Sequence, residues 1–370
     1  MKKLTAMALT LTLTVPLALS GCGTSGPTQE LNVYNWGEYI SDGSDGSLDT
    51  IREFESWYET TYGQAVKVNY STITSNEDMY NRIANGTASY DVIFPTDYMV
   101  ARMAEDGMLM PLNYDNIPNA QYIGEDFLGL YFDPESRYSI PYTYGMAGII
   151  YDANVVDETD VGSWDLMWNE KYANSILQYN IPRYALGTAM YKLGLDVNSP
   201  NSADWELAAQ ELLKQRPLVK SYVMDEIYNM MESGEAAIGS YYAGDYFTMQ
   251  ADQAENVDLR FYYPDGTHFF VENMAIPTCT QNQELAEIFI NFMLSEEVAI
   301  ANAEYISYAC PNRLVYENEQ YLADMGEEAI SILYPEMGSF FELYNRYAYR
   351  NLTLEQMDMV NSLWEKVKVN

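Results

Sequence analysis

Aromatic residues stand beside carboxylates at four places in the chain, each at the end of a predicted β-strand or within one. The four places are Trp36-Gly37-Glu38-Tyr39, Thr96-Asp97-Tyr98, Tyr241-Tyr242-Ala243-Gly244-Asp245 and Phe270-Val271-Glu272. Ligands of open α/β sheets bind outside the carboxyl ends of the strands. A carboxylate and an aromatic ring face both attract an ammonium group, and a desolvated cation–π contact is worth about 2 kcal/mol. The pattern therefore indicates a site for a cation, with core packing as the alternative for any single one of the 34 tyrosines.

Most catalytic arrangements lack the residues that they need. His268 is the only histidine, which argues against Ser-His-Asp and Cys-His catalysis and against a histidine zinc site. The phosphate-binding patterns G-x-x-x-x-G-K-[ST] and G-x-G-x-x-G do not occur. A pair of carboxylates, as in glycoside hydrolysis, is the one catalytic arrangement that the composition permits. With 54 acidic residues in the chain, some pair always looks suggestive, so this signal is weak. A structural role is expected for His268. No cofactor is predicted.

The composition is strongly acidic, with 54 Asp and Glu against 19 Lys and Arg and a net charge of −35. Such a surface repels phosphate backbones and attracts diffusing cations, which argues against nucleic-acid binding. Hydrophobic residues make up 48% of the chain and aromatic residues 14%, so it has enough apolar material to fold. Because 370 residues exceed what one core usually supports, two domains are expected.

The N-terminus has the features of a secretory signal. Lys2 and Lys3 precede an uncharged stretch, residues 4–19, which Thr and Pro interrupt and which is too short for a typical spanning helix. Leu19-Ser20-Gly21-Cys22 resembles the bacterial lipobox, whose Cys is lipid-modified and begins the mature chain. We therefore expect a lipoprotein signal peptide at 1–21, a tether at 22–29 anchored through Cys22, and an extracytoplasmic location on the cell membrane or in the periplasm. The alternative is an ordinary signal peptide with an incidental cysteine.

Cys279 and Cys310 remain as an even pair if Cys22 carries lipid. Exported proteins reside in compartments that permit disulfides. A Cys279–Cys310 disulfide is therefore one expectation, and two unpaired cysteines are the alternative, because the sequence does not give the Cα separation.

Strand and helix patterns alternate along the chain. Strands are predicted at 31–36, 66–70, 91–94, 139–142, 149–151, 175–179, 218–222, 236–241, 257–263 and 274–277. Helices are predicted at 48–62, 78–84, 163–168, 183–193, 203–215, 225–232 and 283–294. This alternation is typical of α/β proteins in which helices flank mostly parallel sheets.

The motif Tyr34-Asn35-Trp36-Gly37-Glu38-Tyr39 resembles the opening motif of the extracytoplasmic spermidine/putrescine-binding proteins of ABC transporters. Further similarities follow in order along the chain: 90–98, 139–145, Ser163-Trp164, 192–194, 231–235, 274–277, 290–292 and Cys310-Pro311-Asn312. The resemblance implies a two-lobed periplasmic-binding-protein fold whose cleft holds a polyamine. It also implies a non-enzymatic, monomeric receptor that delivers its ligand to an ABC permease.

The resemblance, together with breaks in the strand-helix alternation, predicts lobes that are discontinuous in sequence. The first lobe is expected to comprise 30–142 and 272–314, and the second 143–271 and 315–370. Hinge bending would then close the two lobes on the ligand.

Ten residues are expected to contact the ligand on the basis of the resemblance and of the pattern of rings beside acids. They are Trp36, Tyr39, Thr96, Asp97, Tyr98, Tyr184, Tyr242, Asp245, Phe270 and Glu272. Glu272 falls where the family has an amine-binding Asp. Around Arg183 the family places acids that hold a second amine, whereas the neighbouring residues Asn180 to Pro182 and Tyr184 are uncharged here. The choice of polyamine therefore stays open, with Asp97 and Asp245 as candidate replacements.

Two other functions remain as alternatives. Lobes of this type serve many ligands, so the ligand is alternatively another small cationic or polar solute, such as an amino acid, a cationic peptide or a sugar. A surface-anchored hydrolase with a pair of acids is the alternative from a different class of protein.

Overall fold

The computed structural model describes residues 28–335 and 340–369. Within these residues the chain forms one nine-stranded sheet that is flanked by helices. The strands are β1 (Gln29–Asn35), β2 (Val66–Thr72), β3 (Val92–Ile93), β4 (Ser139–Asp152), β5 (Ile176–Tyr179), β6 (Val219–Val223), β7 (Ile238–Tyr242), β8 (Leu259–Tyr262) and β9 (Phe269–Ala275). The helices are α1 (Thr50–Tyr62), α2 (Asn76–Ala84), α3 (Asp97–Glu105), α4 (Pro182–Lys192), α5 (Ser202–Gln215), α6 (Glu226–Glu232), α7 (Ala243–Asp252), α8 (Gln283–Met293), α9 (Glu296–Ile306), α10 (Arg313–Tyr316), α11 (Glu319–Leu333), α12 (Phe340–Tyr347) and α13 (Leu354–Val369).

The sheet is parallel at its two ends and antiparallel in the middle. Its strand order is β2-β1-β3-β9-β4-β7-β5-β6, with β8 paired to β4. β1 pairs in parallel with β2 and β3, and β5 pairs in parallel with β6 and β7. β4 and β9 join the two parallel groups through antiparallel pairs. The predicted parallel arrangement is therefore found in each half, and the antiparallel centre is an addition that the strand pattern did not indicate.

Two large hydrophobic cores lie on the two parallel parts of the sheet. The first core surrounds β1 to β3 and includes the α1 residue Phe54, whose ring meets that of Phe289 from α8 edge to face at 4.9 Å. The second core surrounds β5 to β7 and includes Trp205, which is fully buried on α5. Each such buried side chain contributes about 1.5–3 kcal/mol of hydrophobic free energy to folding. Each half of the sheet thus has a hydrophobic core of its own.

β4 is the longest strand and runs from the first half into the second. It pairs with β9 over Ser139–Met146 and with β7 over Ala147–Tyr151. The sequence predicted two short strands here, at 139–142 and 149–151, with Gly145 and Gly148 between them. The glycines instead make room for aromatic rings: a Cβ atom at Gly145 or Gly148 would overlap the ring of Phe270 or Phe261. β4 is therefore continuous and entirely buried.

The C-terminal segment departs from the predicted division between lobes. α13 packs against α4 and α5 of the second half, as expected. α12 packs on the first core instead, where the Phe340 ring lies 4.8 Å from that of Phe127. The reason is the spacing of Phe340, Tyr344 and Tyr347, which places an aromatic stripe on one face of α12. Residues 315–370 thus do not belong to the second lobe as a whole, while the other predicted boundaries stay a prediction.

The predicted Cys279–Cys310 disulfide is absent from the structure, where both cysteines are free. The Cys279 sulfur lies 3.6 Å from the Tyr90 carbonyl oxygen, whereas the Cys310 sulfur lies 3.8 Å from the Tyr142 carbonyl oxygen. The two thiols therefore pack at different places in the first half, and this prediction is wrong.

The predicted signal peptide and Cys22 lie outside the described residues. Among residues 28–335 and 340–369, no helix combines the length and the apolar character that a membrane crossing needs.

Candidate functional site

Glu272 lies in the middle of β9, the strand between β3 and β4 in the sheet. The Glu272 carboxylate accepts hydrogen bonds from Thr96 Oγ1 at 2.7 Å and from Trp36 Nε1 at 3.1 Å. Trp36 follows β1, and Thr96 follows β3 and forms an isolated β-bridge with Glu272. The carboxyl ends of two parallel strands thus bring these three predicted residues together.

The Glu272 carboxyl group is buried without a positive partner. Its residue is 8% exposed, and no ion pair of the described part of the chain includes it. Its pKa is raised to about 8, because burial and, to a smaller extent, the negative charge of Asp97 outweigh the hydrogen bonds from Thr96 and Trp36, which lower it. A buried carboxylate held only by neutral donors is a strong attractor for a cation.

Asp97 was predicted to contact the ligand but faces the protein interior. It is fully buried, and its carboxylate accepts hydrogen bonds from Tyr98 N at 2.6 Å, Val271 N at 3.0 Å and Tyr344 Oη at 2.7 Å. Burial raises its pKa to about 7, against the effect of these three donors. Because protein groups occupy its carboxylate, Asp97 joins α3 to β9 behind the site and is not open to a ligand.

A row of aromatic rings leads from the first half to the second. The Tyr39 ring lies 5.5 Å from that of Tyr308, which lies 5.9 Å from that of Phe270. The Phe270 ring meets that of Tyr242 edge to face at 5.2 Å. The Tyr39 hydroxyl also forms a hydrogen bond of 2.9 Å with Thr143 Oγ1 on β4. Tyr39, Phe270 and Tyr242 were predicted, and Tyr308 connects them.

Asp245 supplies a second carboxylate beside these rings. It lies in the first turn of α7, where it accepts a hydrogen bond from Tyr308 Oη at 2.5 Å and another from Tyr228 Oη. Burial raises its pKa above the ordinary value, while the two tyrosine hydroxyls lower it. Like Glu272, Asp245 is held by neutral donors, so the site has two carboxylates with aromatic rings near both.

The wall of the second half is mostly aromatic, with the Arg183 guanidinium packed against it. Tyr184 and His268 both stack on Tyr349. The Tyr184 ring centroid lies 5.5 Å from that of Tyr349, and the His268 ring centroid lies 4.1 Å from it. Burial lowers the pKa of His268 to about 3, so its imidazole is neutral. The Tyr242 ring lies 6.3 Å from that of His268. Residues Asn180 to Pro182, which precede Arg183 and Tyr184, are uncharged, so this stretch of the chain contributes no acid to the wall.

Arg183 packs against rings at the start of α4. Its guanidinium lies 4.7 Å from the Tyr349 ring centroid and 5.0 Å from that of Trp205. Arg183 Nη2 donates a hydrogen bond of 2.9 Å to Asn198 Oδ1. These contacts bind the second half together.

Tyr98 occupies a half-buried position next to the site, where its hydroxyl donates a hydrogen bond of 3.2 Å to Glu77 Oε1.

The sequence did not indicate Tyr308 or Thr143. Tyr308 follows α9 in a loop after Ser307, which has a left-handed φ of 54°, and no strand pattern precedes it. Thr143 lies on a fully buried strand, where alternation gives no signal. Neither residue stands in a short motif that places an aromatic ring beside an acid, the pattern that indicated the predicted site residues.

The comparisons with known proteins match this architecture. Residues 50–326 match the family of bacterial extracellular solute-binding proteins. The spermidine/putrescine-binding periplasmic protein 1 of Haemophilus influenzae is 31% identical over 292 residues, which cover 78% of this chain and 77% of that protein. The putrescine-binding periplasmic protein SpuD of Pseudomonas aeruginosa is 25% identical and covers 97% of both chains.

A solved structure shows the same fold. The spermidine/putrescine ABC transporter substrate-binding protein PotD of Streptococcus pneumoniae superposes with a TM-score of 0.77 at 33% identity, covering 92% of this chain and 99% of that one. The predicted two-lobed fold is thereby confirmed. The chain belongs to the family of bacterial extracellular solute-binding proteins.

Proposed function

We propose that this protein captures a polyamine, putrescine or spermidine, in the cleft between its two halves and delivers it to an ABC permease. The observation that carries the proposal is the Glu272 carboxylate, which is buried among neutral groups and has no cation of the described chain beside it. An ammonium group bound there supplies the missing positive charge. The relatives named as spermidine/putrescine-binding and putrescine-binding proteins support this choice of ligand.

The second carboxylate extends the argument from an amine to a diamine. Asp245 lies beside Tyr308, whose ring belongs to the same row as Tyr39 and Phe270. A ligand with an ammonium group at each end would direct one end to Glu272 and the other to Asp245. Its methylene groups would then pack on the rings between them, where apolar contact is favourable. This arrangement favours a polyamine over a sugar or a neutral solute.

Calorimetric titration of the purified mature chain tests the proposal. Putrescine and spermidine are expected to bind, and 1,4-butanediol is the matched control because it has the same carbon chain with hydroxyl groups in place of amines. Losing the charged pairs costs about 2–5 kcal/mol for each buried carboxylate, so the diol is expected to bind at least about 100-fold more weakly. Arginine and an oligosaccharide are included for the alternative ligands. Equal binding of putrescine and the diol would contradict the proposal.

The proposal includes no catalysis, in keeping with a family of solute-binding transport components. The periplasmic relatives support an extracytoplasmic location. We also propose that Cys22 carries the lipid anchor that holds the receptor at the membrane near its permease.

Metabolic labelling with a tagged fatty acid tests the anchor. The parent chain is expected to take up the label and to fractionate with membranes. Cys22→Ser is expected to remain unlabelled, because it lacks the thiol that the lipid modifies. Equal labelling of both chains would show that Cys22 is not the modified residue.

A further inference from the structure

The C-terminal segment 344–350, here called the strap, contacts both halves of the protein. On the side of the first core, the Tyr131 hydroxyl donates a hydrogen bond of 2.6 Å to the Tyr349 carbonyl oxygen. On the side of the second core, Asn198 Nδ2 donates a hydrogen bond of 2.8 Å to the Ala348 carbonyl oxygen. The strap is therefore a third connection between the halves, in addition to β4 and β9.

Tyr344, at the start of the strap, reaches the region behind the ligand site. It is fully buried, and its ring stacks on those of Tyr131 at 5.8 Å and Phe340 at 5.7 Å. Its hydroxyl donates a hydrogen bond of 2.7 Å to Asp97 Oδ2. Tyr344 is not one of the candidate ligand residues, and its hydrogen bond to Asp97 is its polar link to the site.

Asp97 is well placed to transmit such an effect. Its carboxylate accepts hydrogen bonds from the backbone N–H groups of Val271 and Tyr98. Val271 directly precedes Glu272, and Asp97 directly follows Thr96, which donates to Glu272. One buried carboxylate thus holds the start of α3 against β9 at the position of the main candidate amine ligand.

We propose that Tyr344 is a positioning residue for the polyamine site, acting through Asp97 on Glu272 and Tyr98. The inference rests on the proposed function, because it needs a ligand at Glu272. Removing the Tyr344 hydroxyl leaves the Asp97 carboxylate with two donors in place of three. The register of β9 against α3, and with it the place of the Glu272 carboxyl group, is then held less firmly.

The charge of Asp97 gives this role a distinctive pH signature. The titratable groups that face Asp97 are Tyr344, Tyr131 and Glu272. The Tyr344 hydrogen bond favours the ionised form of Asp97, and ionised Asp97 opposes the ionisation of Glu272. Without the hydroxyl, Asp97 stays neutral to higher pH, so Glu272 ionises at lower pH.

The test compares Tyr344→Phe with Tyr246→Phe, each of which removes one buried hydroxyl. Tyr246 is a matched control because its hydroxyl donates to the Leu259 carbonyl oxygen in the second half, away from Asp97. Putrescine is titrated into the purified mature chain between about pH 5.5 and 9. Tyr344→Phe is expected to lower the affinity at the high-pH plateau about 10-fold and to move the midpoint of the profile to lower pH. Tyr246→Phe is expected to keep the plateau and the midpoint of the parent.

A double-mutant cycle with Asp97→Asn isolates the proposed route. In the Asp97→Asn background, Tyr344→Phe is expected to lower the affinity by less than about twofold, because its partner charge is already gone. Asp97→Asn also serves as the second variant if Tyr344→Phe does not fold, and the same shift of the midpoint is expected from it.

The inference would be overturned if Tyr344→Phe had the affinity and the pH midpoint of the parent. It would also be overturned if the losses of affinity from Tyr344→Phe and Asp97→Asn were fully additive in the double-mutant cycle. A loss of affinity by the same factor at every pH would also overturn it, because loosened packing alone leaves the midpoint in place. If the parent does not bind putrescine at all, the proposed function is wrong and the inference falls with it. Parent binding with an unchanged Tyr344→Phe profile would reject the inference alone.

Discussion

Replacing Glu272 with glutamine is expected to weaken the binding of putrescine and spermidine about 30-fold to several thousand-fold. The substitution keeps the size of the side chain and an oxygen that accepts from Thr96 or Trp36, but it removes the negative charge. An amine nitrogen that leaves water in the cleft then lacks its charge partner, which costs about 2–5 kcal/mol. Calorimetric titration of both chains at pH 8.5, where the parent carboxyl is ionised, measures the difference.

Glu287→Gln is the matched control for this experiment. Glu287 is also a buried carboxyl group held by neutral donors, and it accepts hydrogen bonds from Asn113 N at 2.9 Å and Asn116 Nδ2 at 2.6 Å. It lies on α8, outside the candidate site, so its substitution is expected to affect unfolding and to leave the affinity within about twofold. A Glu272→Gln chain that binds both polyamines like the parent and melts at the same temperature would remove Glu272 from the ligand site.

Polyamine affinity is expected to fall steeply as the pH drops below 8. The raised pKa of Glu272, about 8, means that its carboxyl group is mostly protonated at neutral pH in the absence of ligand. Alkylammonium groups have pKa values near 10.4 and stay charged over this range, so the pH dependence comes from carboxyl groups of the protein, with Glu272 as the main one. Binding to the ionised form then weakens about tenfold for each pH unit below 8, until the lower pKa of the bound carboxyl is reached.

Proton release measures the same effect at a single pH. At pH 7 the bound ammonium ion is expected to displace close to one proton from the site, and titrations in buffers of different ionisation enthalpy give that number. Binding to Glu272→Gln is expected to release fewer protons than binding to the parent. Asp97, whose pKa is about 7, is the remaining group near the site that can release one. A parent affinity that is constant from pH 6 to 9, with no proton released, would contradict the assignment of Glu272.

The unliganded protein should show the opposite trend in stability. A carboxyl whose pKa is higher in the folded chain than in the unfolded chain stabilises the fold fully below the unfolded value. For Glu272 this contribution is lost as the pH rises from about 4.5 to about 8. Polyamine binding offsets the loss at high pH, because the ligand binds the folded chain alone.

The sequence predicted the local pattern of the fold well and its centre less well. The strand-helix alternation predicted the parallel groups around β1 and β5, because parallel neighbours need helical crossovers between them. β4 was predicted as two strands, and it offers little local signal because a strand buried on both faces lacks alternation. The packing of α12 on the first core depends on long-range contacts, such as that between Tyr344 and Asp97, which no local pattern contains.

In the candidate site too, residues in local motifs could be predicted from the sequence, whereas residues placed by long-range contacts could not. Trp36, Thr96 and Glu272 could be predicted because each lies at a strand end or in a short motif of rings and acids. Asp97 has the same local pattern as Glu272, yet it faces inward, since the first turn of α3 directs its carboxylate to the N–H group of Val271. Tyr308 could not be found from strand ends because it follows a helix, and it reaches Asp245 only through the folding of distant segments.

The most direct test of the account is a crystal structure of the protein with putrescine. The account predicts an ammonium nitrogen about 2.7–2.9 Å from the Glu272 carboxylate, with the methylene groups against the rings of Tyr308 and Phe270 and the second nitrogen toward Asp245. Putrescine bound elsewhere, or bound in the cleft without contact to Glu272, would contradict it.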